Sequence, residues 1–197
     1  MAVNLSKGQR ATIDSSLKMV LVGLGWDPNK YDGGHDFDLD ASAFICGSNG
    51  KVRSDEDFVF YNNQDWNDHT VWSSGDDRTG GGSDKGDDEQ IFIDFSKMPD
   101  WVEKIAITVT IHDAVERRQN FGQVSNAYVR VAKVKDDSDT VGETVIQFDL
   151  EEEFSIETAL VVCEIYKKNG EWKFNAVAGG YQGGLAALCK SYGVDVA

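Results

Sequence analysis

The stretch GHDFDLDASAF, residues 34–44, sets Asp36, Asp38 and Asp40 at every second position, with Phe37, Leu39 and Ala41 following them in turn. Alternate residues of an extended chain share a face, so the pattern predicts three carboxylates on one side and three apolar groups turned into a core. Like charges set side by side repel unless a cation sits among them. Hard cations such as calcium take about 6–8 oxygen ligands, drawn from carboxylates, amide carbonyls, backbone and water. Three aspartates are too few for that.

A second acidic segment supplies more oxygen. SSGDDRTGGGSDKGDDEQ, residues 73–90, carries Asp76, Asp77, Asp84, Asp87, Asp88 and Glu89 among glycines that free the backbone to wrap an ion. YNNQ at 61–64 adds Asn62 and Asn63 as neutral donors. Together these groups suffice for two ions, and a surplus of carboxylates on a glycine-rich loop suits the irregular shell of Ca²⁺ better than the strict octahedron of Mg²⁺. Zinc is disfavoured, since His35 is the one His or Cys beside the acids. An EF-hand is excluded despite its matching opening: the sixth loop position is Ala41 rather than glycine and the twelfth is Gly47 rather than glutamate. GGGSD matches only one copy of the calcium-binding nonapeptide repeat, and one copy builds no stacked roll. The bland alternative is a solvated acidic loop beside an acidic strand end.

The elements that must position these acids read as β-strands. Runs rich in Val, Ile, Phe and Tyr, several of them alternating, predict strands at 18–26, 38–47, 57–63, 89–96, 104–113, 126–134, 143–150, 159–169 and 171–181. Asn-Gly within SNGK (48–51) and KNGE (168–171) signals tight reversals. Many short strands with such turns imply an all-β protein, an antiparallel β-sandwich with a few short helices. Two helices are expected: DAVERRQNFG, with Asp113 as N-cap and Gly122 as stop, and GLAALCKSYG, closing at Gly193. Residues 73–90 alone break the pattern, and no composition boundary divides the 197 residues, so one domain over 1–197 is expected.

Bulk composition narrows the function. A formal charge of −15 repels nucleic acid phosphates and anionic membranes, while 41% hydrophobic residues suffice for a sizeable core. No direct nucleic acid binding and no membrane span are expected. The opening MAVNLSKGQRATID lacks the apolar stretch of a secretory signal, and Cys46, Cys163 and Cys189 show no metal or redox spacing. A soluble cytoplasmic protein with reduced, mostly buried cysteines follows. His112, Asp113 and Glu116 are close enough in sequence to form a catalytic cluster, but their motif has no nucleophile and a capped helix explains them better. Arg117 and Arg118 are read as partners for surface acids, and as the best candidates for docking an acidic partner or a phosphate. Phosphate-loop and dinucleotide glycine patterns are absent.

VGLGWD, FDLDASAF, FYNN, GDDRTGGG, GDDE, TIHDA, RRQNFGQVSNA and GEWKFNAVAGGYQGGLAALC, in this order across nearly the whole chain, resemble the TerD family of tellurium-resistance and stress proteins. The resemblance implies a β-sandwich, calcium bound through the acidic segments, and a role in resistance to tellurite and other stresses. It carries metal ligands onto Asp36, Asp38, Asp40, Asn62, Asp77, Asp87 and Glu89. The sequence departs from the family in GGGSDKGDDE, which is longer than the usual loop and puts Asp84 in line for a ligand role. The partners implied are other TerD-family or stress proteins and a membrane-associated complex. The expected function is a calcium-binding stress-response protein that acts through partners and is not an enzyme. The alternative is a metal-dependent enzyme acting on phosphoesters or nucleotides, which needs a base and an open coordination position that no motif supplies.

Overall fold

A computed structural model describes residues 2–29, 34–74, 86–136, 138–150 and 154–195. Its strands in chain order are β1 (Val3–Leu5), β2 (Arg10–Thr12), β3 (Met19–Gly25), β4 (Leu39–Cys46), β5 (Phe58–Val59), β6 (Asp65–Trp66) and β7 (Val71–Ser73). They continue with β8 (Glu89–Asp94), β9 (Lys104–Ile111), β10 (Tyr128–Lys133), β11 (Glu143–Asp149), β12 (Ala159–Lys168) and β13 (Glu171–Tyr181). The helices are α1 (Ala114–Arg117) and α2 (Gly184–Tyr192). A seven-stranded sheet runs β1-β11-β10-β3-β8-β7-β6 and a six-stranded sheet runs β2-β13-β12-β9-β4-β5. Pairing is antiparallel apart from β1 on β11. The protein is the antiparallel β-sandwich that the sequence predicts.

Period-two alternation sorts the side chains into three apolar layers. Val20, Val22 and Leu24 of β3 join Leu39, Ala41, Ala43 and Ile45 of β4 in a core shared by both sheets. The intervening residues face outward. On the six-stranded sheet Phe44 and Cys46 meet Leu188, Cys189 and Tyr192 of α2, and on the seven-stranded sheet Leu21 packs with Trp72, Phe92 and Ala132. Each fully buried Leu, Ile or Phe contributes about 1.5–3 kcal/mol, so this layering fixes which way every residue of a strand points.

The nine predicted strands all form. Four short ones, β1, β2, β6 and β7, escape sequence reading because two or three residues hold too little alternation to detect. The KNGE turn joins β12 to β13, with Asn169 at φ 55° and Gly170 at φ 79°, the left-handed pair of a type I′ hairpin. The helix α2 stops at Gly193, as predicted. The other helix differs: α1 makes one turn, Arg118 leaves it at φ 53°, and a 3₁₀ turn follows at Phe121–Gln123. Asp113 stands at its N-cap position, as predicted, but is left-handed at φ 51° and makes no capping hydrogen bond from its side chain. Packing decides this. Phe121 is drawn into the shared core and its N–H bonds Glu157 O, while the Gln119 side chain is claimed by the chain before β4. The three cysteines are buried and free, and burial pushes the Cys46 thiol up to about 12.

Candidate functional site

The first acidic segment alternates as its spacing demands. Phe37 and Leu39 are each 2% exposed in the shared core, while Asp36 is exposed, Asp40 half-buried and Asp38 buried at 8%. Only Asp40 lies within β4; Asp36 and Asp38 occupy the extended approach to it, which β9 continues to hold through His112 N–H to Asp38 O at 2.8 Å. Two of the carboxylates have cationic or ring neighbours. Arg117 Nη1 donates to Asp38 Oδ2 at 3.1 Å, and His112 stands between Asp40, with Nδ1 3.6 Å from Oδ2, and Asp113, with Nε2 3.3 Å from Oδ2. The ring of Tyr61 meets that of His112 edge-on at 6.5 Å, which brings the turn bearing exposed Asn62 toward the same place. Together Asp40, Tyr61, His112, Asp113, Glu116 and Leu185 border a pocket of about 380 Å³.

The second acidic segment enters β8 at the same end of the sandwich, and a run of hydrogen bonds leads from one segment to the other. Asp88 Oδ2 accepts from Trp26 N–H at 2.9 Å, Asp27 N–H donates to Ser125 O at 2.9 Å, and Asn29 Nδ2 donates to His35 O at 2.7 Å. Yet the side chains diverge. Glu89 pairs across from Leu24 and so shares the inward face of Leu24, Ile91 and Ile93. Asp87 lies on the outer face of the seven-stranded sheet, against Gly23 of β3, where a Cβ would come 2.2 Å from its Oδ2. There Arg130 grips it with Nε to Oδ1 at 2.7 Å and Nη2 to Oδ2 at 2.6 Å, Tyr128 Oη donates to Oδ1 at 3.0 Å, and Gln90 Nε2 donates to Oδ2 at 3.1 Å. The same hydroxyl also lies against Gly86 O, at the end of the glycine-rich segment, so its one proton is shared between two acceptors. Burial first and the Asp87 charge second raise the Tyr128 phenol well above its ordinary pKa, while the hydrogen bond to Asp87 raises that of Arg130.

Of the ten predicted metal ligands, Asp36, Asp38 and Asp40 follow one another along the approach to β4 and its start, and Asn62 is on the turn whose Tyr61 ring meets His112. Asp87, Asp88 and Glu89 share their end of the sandwich but face three other ways. Asp76, Asp77 and Asp84 lie outside the described residues. Among the described residues no three His, Cys, Asp or Glu side chains converge on one point as metal ligands. The donor set, all oxygen, suits a hard cation in its chemistry. Asp36, Asp38, Asp40 and Asn62 are the described residues that would hold one.

Three participants were not read from the sequence. Arg130 and Tyr128 had only the appearance of strand residues. Gln119 is 6% exposed and donates from Nε2 to His35 O at 2.8 Å and Asp36 O at 3.2 Å, while its Oε1 has no partner among the described residues. For Arg130 the one available signal was an apolar flank on each side, in VRV; Gln119, between Arg118 and Asn120, had none. No helix among the described residues is long and apolar enough to cross a membrane.

The TerD domain model matches residues 1–192. The chain belongs to the TerD family. It is 52% identical to the tellurium resistance protein TerD of Serratia marcescens over 99% of each chain, and 49% identical to general stress protein 16U of Bacillus subtilis over all of both. A solved homologue of telluride resistance protein (TerD) from Streptomyces coelicolor A3(2) superposes with TM-score 0.68 at 24% identity, covering 87% of this chain and 95% of its own. That likeness shows the fold of the TerD chain. Membership places it in a family of tellurite-resistance and stress-response proteins.

Proposed function

We propose that this TerD-family chain is a calcium-binding stress-response protein that works in the cytoplasm through partner proteins and performs no chemistry of its own. The observation that supports the reading is the alternation at 36–41: Phe37, Leu39 and Ala41 are buried in the core, and Asp36, Asp38 and Asp40 alternate with them. Asp36, Asp38, Asp40 and Asn62 contribute to the calcium shell, and the acids of 76–84 complete it and a second one. Asp87, held by Arg130, anchors the end of the glycine-rich segment. Calcium that binds only the native state adds about 2.7 kcal/mol of stability at a free concentration of ~100 Kd. Other TerD-family and stress proteins, or a membrane-associated complex, are the partners that fit such a module.

Calorimetry on the chelator-treated full chain tests this. Two calcium ions should bind, more tightly than magnesium, and excess chelator should lower the melting temperature. Absence of calcium heat, or tighter magnesium binding, would overturn it.

A further inference from the structure

Val115 is 85% exposed, the most of any large apolar side chain among the described residues, and Tyr61 is 42% exposed. Both line the pocket of about 380 Å³ between α1 and the start of α2, together with Ile111, Ala114 and Leu185. Each is held there by packing behind it. Tyr61 meets Phe60 edge-on at 5.1 Å, and Phe60 ends a row of stacked rings that runs inward through Phe58 and Phe44 to Tyr192 at spacings of 4.5, 4.3 and 4.5 Å. The single turn of α1 lies between left-handed residues, Asp113 at φ 51° and Arg118 at φ 53°, and buries Ala114 while Val115 faces out. Apolar walls fixed in advance lower the ordering cost of whatever docks on them.

The charge around these walls says what covers them. Asp40, Asp113 and Glu116 border the same pocket. His112 stands against Asp40 and Asp113, whereas exposed Glu116 makes no hydrogen bond or ion pair among the described residues. The three do not converge as metal ligands but are spread around an apolar floor. That arrangement suits a long cationic side chain, which lays its methylene stem on apolar surface and carries its charge to a carboxylate at the rim. The N-terminus of α2, a pole of opposite sign, already gives the Gly184 N–H to Thr158 Oγ1 at 3.0 Å. The formal charge of −15 repels nucleic acid, anionic membranes and a second copy of this chain, and it steers a basic segment inward. The volume falls in the range of about 300–1,000 Å³ found for ligand clefts, with room for one apolar side chain beside a basic one.

We propose that this pocket docks a basic segment of a partner protein. An apolar side chain of the segment seats against Tyr61, Val115 and Leu185, and a flanking lysine or arginine pairs with Glu116 and Asp113. The inference rests on the reading that the chain acts through partners, and it adds the surface and the chemistry that the surface selects. It does not require calcium.

The test is a titration of the ¹⁵N-labelled full chain in excess chelator, near neutral pH at constant ionic strength. The probes are three end-blocked peptides, Gly-Lys-Leu-Lys-Gly, Gly-Lys-Gly-Lys-Gly and Gly-Glu-Leu-Glu-Gly, with butylammonium as a small organic cation. The lysine–leucine peptide should give saturable shifts at residues 110–116 and 183–185, the leucine-free peptide should bind several-fold more weakly, and the glutamate peptide should not bind. Val115→Ser and Glu116→Gln change exposed side chains, so both variants fold. Val115→Ser should weaken the lysine–leucine peptide about fourfold, the worth of one buried CH₂, and Glu116→Gln about threefold, as for a solvent-exposed ion pair. Absence of saturable shifts there, equal binding of the leucine-free peptide, or unchanged binding in both variants overturns the proposal. So does butylammonium binding as tightly as the peptide, which would assign the pocket to a small organic cation. Calcium calorimetry on the same samples separates the two readings: calcium binding without peptide binding removes this surface alone, and peptide binding without calcium binding leaves it standing.

Discussion

Asp38 and Asp87 each rest on an arginine at the same end of the sandwich, on opposite outer faces, and the enclosure of the two pairs differs. The Asp87 side chain is fully buried and Arg130 is 11% exposed, whereas Asp38 is 11% and Arg117 23% exposed. Both oxygens of Asp87 receive short bonds from Arg130, Tyr128 and Gln90, while Arg117 reaches Asp38 through one nitrogen. A carboxylate gripped on both oxygens is part of the scaffold, because a metal could take it only by dismantling the pair. A carboxylate held by one contact keeps lone pairs to offer. The acids of the two segments therefore divide by enclosure rather than by spacing.

The largest consequence of that division is in stability. Replacing Arg130 by Met leaves the Asp87 charge buried without its main counter-ion, which costs about 3–5 kcal/mol. Arg117→Met should cost less than Arg130→Met, since the Asp38 pair is less enclosed and rests on one contact. Urea denaturation of both variants in chelator measures the contrast, and equal losses would erase the distinction between the pairs. Gly23→Ala follows in size. Its Cβ would come 2.2 Å from Asp87 Oδ2, so the carboxylate must move off Arg130, at a cost of about 1–3 kcal/mol. A neutral Gly23→Ala would mean that the Asp87 seat is loose.

Tyr128→Phe should cost about 1 kcal/mol near neutral pH for the lost bond to Asp87. It should also change the pH dependence of stability. The phenol pKa is raised by burial and by Asp87, so its contribution is complete below the unfolded value of about 10 and is lost as pH rises toward the folded one. The stability of the parent should fall over that alkaline range more steeply than that of Tyr128→Phe. Identical alkaline slopes would remove Tyr128 from the Asp87 cluster.

Much of the comparison was legible in the sequence where it depended on local period. The inward turn of Phe37 and Leu39 follows from a two-residue repeat, and the β12–β13 hairpin from Asn169 and Gly170. Contacts between distant strands were not legible. Arg130 reaches Asp87 across 43 residues, and the notch that admits the carboxylate depends on Gly23 on a third strand. The shortened α1 shows the same limit: helix formers at 114–119 predict a longer helix, but the pull of Phe121 into the core and of Gln119 toward His35 ends it at Arg118. Arg117 was foreseen as a partner for an acid, though not for Asp38 in particular.

Asp38→Asn tests the central claim most directly, because Asn keeps the shape and one oxygen while removing the charge. Its calcium-free stability has a different basis from that given by repulsion alone: Asp38 already has Arg117, so the chelated variant should lose no more than ~1 kcal/mol. Calcium calorimetry on Asp38→Asn beside the parent chain is the deciding measurement. The account predicts two ions on the parent and at least about tenfold weaker binding at one of them in the variant, equivalent to ~1.4 kcal/mol. Calcium binding of equal affinity in both would contradict it and return Asp38 to the scaffold with Asp87.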